Sequence, residues 1–203
     1  MENLNESRAA SKIKAGVAAG CACLMIAGGA LAVLTASDSA TNHFTVVSSL
    51  NPLDKDILTE PAWDALDSSS KIEVNPGYTI TKDPTLNNVS DVDCYGLMKV
   101  VVPTDANGKD IFTYTIGAQW ASCADAVYDA TANTRTYWYA YENGTSNMFA
   151  SGASSTLFET VTMAKDATLV NSGALQKADI DITGYLVQAN GVANVAAAMA
   201  LVA

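Results

Sequence analysis

The residue types that usually carry chemistry are sparse in this chain. Its one histidine, His43, stands in the polar stretch ATNHFT. A zinc peptidase needs about three side chains that concentrate charge on a metal and polarise water, usually including histidines. No HExxH motif occurs, and Cys94 with Cys123 would need carboxylates to complete a set. Serine or cysteine hydrolysis would have to run through His43, where a solvated histidine is the default. Two carboxylates can divide acid and base roles. Asp179 and Asp181 share one face of a predicted strand, about 6.6 Å apart along it. In so acidic a chain a solvated strand face is the stronger reading of the pair, and no companion pocket signal singles them out.

Hard oxygen ligands suggest calcium as the one possible cofactor. TDANGKD offers Asp105, Asn107 and Asp110 around Gly108, and SDVD adds Asp91 and Asp93. The first loop lacks the length and terminal glutamate of an EF-hand, so the competing reading is a turn whose Asp and Asn bond their own backbone. The four cysteines divide into Cys21 and Cys23 in an apolar run, and Cys94 and Cys123 downstream. The latter two are either a disulfide, which export would permit, or two small buried hydrophobes.

The elements that must position these residues begin with a leader. Arg8, Lys12 and Lys14 precede the uncharged run AGVAAGCACLMIAGGALAVL. This is the order of a secretion signal, with Ala30 and Ala32 as the small residues flanking a cleavage that leaves Val33 first. A retained span is the alternative, since 20 such residues just cross a bilayer. No basic stop-transfer cluster follows, which favours processing, with residues 1–32 a signal helix and 33–203 the domain. Membrane contact is then expected only through the uncleaved leader. The formal charge of −10 argues against nucleic acid or anionic lipid as a partner.

From residue 42 the text reads as short β segments between turns. HFTVVSSL is a predicted first strand, and ILTEPAWDALDSSS starts extended and then gives a helical turn with Pro61 near its start. CYGLMKVVVP reads as a central strand, and TDANGKD as the hairpin to IFTYTIGAQW. TRTYWYAYE runs to the turn pair Asn143-Gly144, and STLFETVTM follows. In KADIDITGYLVQA the inward parity changes at Gly184, which predicts a bulge. VANVAAAMALVA is either a short helix on the sheet or an apolar tail. Seven or more strands without βα alternation predict an all-β, two-sheet sandwich with short helical insertions. Tyr137, Tyr139 and Tyr141 on one face of TRTYWYAYE, with Trp138 on the other, read as core before they read as a ligand platform.

Several of these stretches, taken in order, resemble a known group. GGALAVLTASDSATNHFTV, LTEPAWD, NPGYTITKDPTLNN, CYGLMKVVVP, TLFETV and DITGYLVQANG are similar to the camelysin and TasA-like proteins of Gram-positive bacteria, which carry a signal peptidase W type leader. Lys82, Asp83 and Pro84 match that family's KDP directly, whereas Val33, Leu34 and Ala36 depart from its leader pattern. The resemblance implies a jelly-roll-like domain, recognised by signal peptidase during export. Its implied place is the cell surface or biofilm matrix, where it would partner itself or other matrix and cell-wall components. Some relatives are fibre subunits, and camelysin is associated with peptidase activity.

An assembly mechanism follows if leader removal frees residues 33–47 to lie on a sheet edge of the next copy, with Phe44 and Val46 as anchors. The same residues filling their own domain are the alternative, and a surface adhesin or ligand-binding module is a further one.

Overall fold

The structure is a computed structural model that describes residues 35–41, 45–47, 57–66, 76–144, 146–166 and 179–203. The predicted signal helix, the cleavage residues Ala30, Ala32 and Val33, and His43 and Phe44 lie outside the described residues.

Three antiparallel sheets and two short helices make up the described part. The largest sheet runs β2 (Thr45–Val47), β1 (Thr35–Thr41), β13 (Asp181–Gln188), β6 (Cys94–Pro103) and β10 (Thr134–Tyr141), and ends on β8 (Trp120–Ser122), with β9 (Val127–Asp129) also on β10. The first strand is therefore Thr35–Thr41, ahead of the predicted HFTVVSSL. The second sheet orders β11 (Ser154–Thr156), β5 (Thr85–Asn87) and β3 (Leu58–Thr59). The third orders β4 (Thr79–Thr81), β12 (Thr160–Met163) and β7 (Phe112–Tyr114).

The two small sheets share one hydrogen-bonded line. Thr81 lies opposite Thr160 and Thr85 opposite Thr156, so the register is the same on both sides of the break. Between them Lys82 N–H still donates to Glu159 O (3.0 Å) and Leu157 N–H to Pro84 O (2.8 Å). Pro84 has no N–H to give, and the ladder is interrupted there. STLFETVTM, predicted as one strand, is split into β11 and β12 by the same interruption.

TDANGKD does turn the chain, with a bridge between Thr104 and Asp110. It does not close a hairpin of two paired strands, because β6 stays in the large sheet while β7 pairs with β12 in the third. The turn delivers the chain from one layer of the core to another.

One face of β6 and β13 meets the small sheets. Met98, Val100, Val102, Ile180, Ile182 and Leu186 pack there with Leu58, Leu86, Phe112, Leu157 and Val161. Of the two short helices, α1 (Pro61–Asp64) follows β3, and α2 (Val195–Met199) covers the opposite face of the large sheet at one end. The Asn194 side chain accepts from Ala197 N–H (2.9 Å) and caps α2. Tyr95, Leu97, Ala140, Val187 and Ala198 form the second cluster beneath it. With both faces covered, β6 reads as an almost unbroken apolar run.

This explains why the predicted bulge is absent. The pairing of β13 with β6 runs unbroken from Asp181 opposite Val101 to Gln188 opposite Cys94. The change of parity at Gly184 reflects a second buried face, not an extra residue. Gly184 has a packing reason instead: a Cβ there would lie 2.7 Å from Leu86 Cδ1, and one at Gly96 2.9 Å from Leu86 Cδ2. Leu86, fully buried at 0% exposure, fits a notch that two glycines on adjacent strands leave open. Gly184→Ala should cost about 1–3 kcal/mol through overpacking, read as a lower urea midpoint. In the Leu86→Ala background, where the obstructing methyls are gone, the added cost of the same change should be clearly smaller.

Candidate functional site

Two features stand out from the packing just described: the N-terminal edge of the large sheet, and a buried ion pair where the small sheets meet. At the edge, β1 pairs with β13 over seven residues, from Thr35 opposite Val187 to Thr41 opposite Asp181. The short β2 folds back on it, with Val46 opposite Ala40. Of the predicted assembly segment, Thr35–Thr41 pairs with β13 and Thr45–Val47, which includes Val46, pairs with β1, while Phe44 lies outside the described residues.

The ion pair follows from strand parity. Side chains alternate along residues 79–87, so Ile80, Lys82, Pro84 and Leu86 share the face that meets the core. Lys82 is consequently 0% exposed. Its Nζ donates to Glu60 Oε1 at 2.6 Å and lies 5.0 Å from the centre of the Trp63 ring. Burial pushes the Glu60 carboxyl above its ordinary range and the Lys82 ammonium below its own, each opposed by the charge of the other. Next door, the Asp83 carboxylate points the other way and accepts from Ala62 N–H (2.9 Å) and Trp63 N–H (3.0 Å). It caps α1, whose own N-cap residue Glu60 gives its side chain to Lys82. LTEPAWD and KDP, separate in sequence, are one site in space.

The sequence reading missed this pair because a lone lysine in TITKDP looks solvated. The available signal was its alternation with Ile80 and Leu86.

Of the calcium candidates, Asp105, Asp110 and Asp93 accept from the protein's own donors. Asp105 Oδ1 accepts from Asn107 N–H and Lys109 N–H, each at 2.8 Å, which is the backbone-bonded turn of the alternative reading. Asp110 accepts from Arg135 Nε at 2.8 Å and from the Tyr137 hydroxyl, while Arg135 also donates to Gly108 O at 2.6 Å. Burial, with the hydrogen bond to Asp110 and that aspartate's charge added to it, holds the Tyr137 hydroxyl well above the usual phenol range. Asp93 accepts from Ser151 N–H (3.1 Å), and Asp91 is exposed. Among the described residues no group of three His, Cys, Asp or Glu is placed to hold a metal ion.

Cys94 and Cys123 are not joined; both are free. Cys94 packs in the main core beside Ser90, whereas Cys123 faces the second cluster, 3.8 Å from Met199 Sδ. The large sheet lies between them, and burial raises both thiols. Asp181 is exposed at the start of β13, and Asp179 is half-buried just ahead of it. Tyr139, Tyr141 and Trp138 are buried and Tyr137 is half-buried against the main core, so the aromatic strand is read mainly as core. Tyr114 joins it by stacking on Phe158 with centroids 4.4 Å apart, and its hydroxyl lies 3.0 Å from that of Tyr139.

Relative to the ion-paired chain, Lys82→Met leaves Glu60 buried without a counter-charge and should cost about 3–5 kcal/mol at neutral pH. Replacing both partners, Glu60→Leu with Lys82→Met, should cost less than that. The stranded carboxyl's folded pKa lies above its unfolded value, so its contribution is most favourable below the unfolded value and is lost as pH rises through the folded one. The penalty of Lys82→Met, read by urea unfolding, should therefore be smaller near pH 4 than near pH 7. No described helix is long and apolar enough to cross a membrane. Comparison of the chain with protein-family models, curated proteins and solved structures gives no match.

Proposed function

We propose that the chain is an exported structural protein of a Gram-positive cell surface or biofilm matrix. In this reading residues 1–32 are a leader removed at export and residues 33–203 form a two-layer, jelly-roll-like sandwich whose first strand is exchanged between copies. The observation that carries it is the position of β1: a seven-residue strand at the beginning of the domain covers the outer edge of β13. Cleavage after Ala32 would leave β1 two residues from a free end. Support for two layers comes from the shared register of the small sheets and from their common core with β6 and β13. The resemblance to camelysin and TasA-like proteins points the same way.

Strand exchange conserves the bonds it breaks. The β1–β13 ladder, at about 0.5–1.5 kcal/mol net per hydrogen bond, is lost within one copy and regained between two, so the cost lies in the barrier. Exchange passed head to tail does not close on itself and gives a filament. Of the aromatic face on which the adhesin alternative rests, Tyr139 and Tyr141 are buried and Tyr137 is half-buried.

The test is electron microscopy of the chain starting at Val33 and of one starting at Thr45. Filaments are expected from the first and not from the second. A synthetic peptide of residues 33–43 should bind the shortened chain one to one and raise its Tm. Filaments of equal abundance from both chains would overturn the reading. Residues 33–203 keep 8 of the 11 basic and 19 of the 21 acidic residues, a formal charge of −11, so copies repel one another. Raising salt from about 0.01 M to 0.1 M shortens the screening length from about 30 Å to about 10 Å, and elongation followed by light scattering should speed up.

A further inference from the structure

The assembly reading makes no use of the buried pair. A lysine amine and a carboxyl in contact, both out of water, are the two reactants of amide formation. Lys82 is wholly buried and Glu60 nearly so, at 6% exposure. Nζ and Oε1 are 2.6 Å apart, and the Trp63 ring lies over the amine. We propose that Lys82 and Glu60 become joined by an intramolecular amide bond, formed by condensation of the two side chains within the folded chain.

The step balances without a co-reactant. A proton passes from Nζ to the carboxylate along the existing hydrogen bond, giving a neutral amine and a neutral acid. The nitrogen lone pair then attacks Cδ of Glu60, forming the C–N bond. One carboxyl oxygen departs as water, carrying the acid proton and one amine proton, and one C–O bond breaks. Nothing is oxidised or reduced.

Three features favour the reaction here. Held contact replaces a bimolecular encounter. Burial acts on both groups against their charged forms, which are the unreactive ones. Condensation also removes two desolvated charges, whose burial costs several kcal/mol per ion. The other nearby carboxylates, Asp64 and Asp83, act on both partners through their charge; Asp83 is itself held by Ala62 and Trp63 N–H. The bond would tie the start of α1 to the line joining the small sheets.

Mass spectrometry of the purified folded chain, afterwards unfolded and alkylated at its cysteines, tests this. The expected major species is one water lighter than its sequence requires, and a digest contains one branched peptide linking Glu60 to Lys82. Lys82→Met and Glu60→Leu chains should show their full sequence mass, while Glu60→Gln should lose ammonia in place of water at the same link. A wild-type chain of full mass, with both residues in linear peptides, overturns the proposal, as does a water loss mapped to any other residue. The readout concerns one bond and is independent of whether filaments form.

Discussion

The arrangement of the small sheets depends on a lysine in a place where lysines are rarely found. On the line of residues 79–87, Lys82 has the parity of Ile80 and Leu86, so its side chain must enter the core unless the line slips. A slip of one residue would turn Lys82 to water and Asp83 inward. Glu60 decides between these registers, since it offers a partner at 2.6 Å to Lys82 alone, while the amides of Ala62 and Trp63 receive Asp83 on the other side. A buried pair of this kind adds little net stability, because desolvation offsets most of the attraction. Its effect is on specificity: one alignment satisfies both charges, and its neighbour strands them. The same alignment seats Leu86 over Gly96 and Gly184, so the polar contact at one position and the apolar contact four residues later enforce a single register.

Much of the strand content was legible because it rests on local signals. CYGLMKVVVP and TRTYWYAY are strands since β-branched and aromatic residues pack well on a pleat. Asn143-Gly144 ends the latter as a turn should, with Gly144 at φ 63°, and Pro61 opens α1 where its missing N–H costs nothing. What failed was everything decided by distant residues. Gly184 read as a bulge because strand logic assumes one wet face, whereas α2, drawn from the last residues of the chain, makes both faces dry. TDANGKD read as a hairpin because a turn and two flanking strands do not say whether the strands stay in one sheet. Lys82 was invisible as a core residue because its partner lies 22 positions away.

The chemistry-bearing residues follow the same rule. Asp105, Asp110 and Asp93 each looked available as a loop carboxylate, and each is taken by a backbone amide or by Arg135 and Tyr137. Such carboxylates cap, close turns and hold loops to strands, and a ligand would have to displace those donors first. The acidic surplus of the chain is in this respect structural as well as repulsive.

A strand can be passed between copies only if the site it leaves keeps its shape. β13 satisfies that condition from its other side: it is paired along its whole length with β6, which is in turn paired with β10. Its two faces are covered separately, by Leu58 and Leu86 on one and by the cluster under α2 on the other. None of these supports involves β1. The shape of that edge is therefore set by the interior of the fold, with its backbone groups directed at β1. In the proposed exchange the incoming strand meets a preformed partner and loses only its own freedom. Because the Glu60–Lys82 contact sets the register that brings Leu86 against β13, the buried pair bears on a face of the same strand whose edge would take part in the proposed exchange.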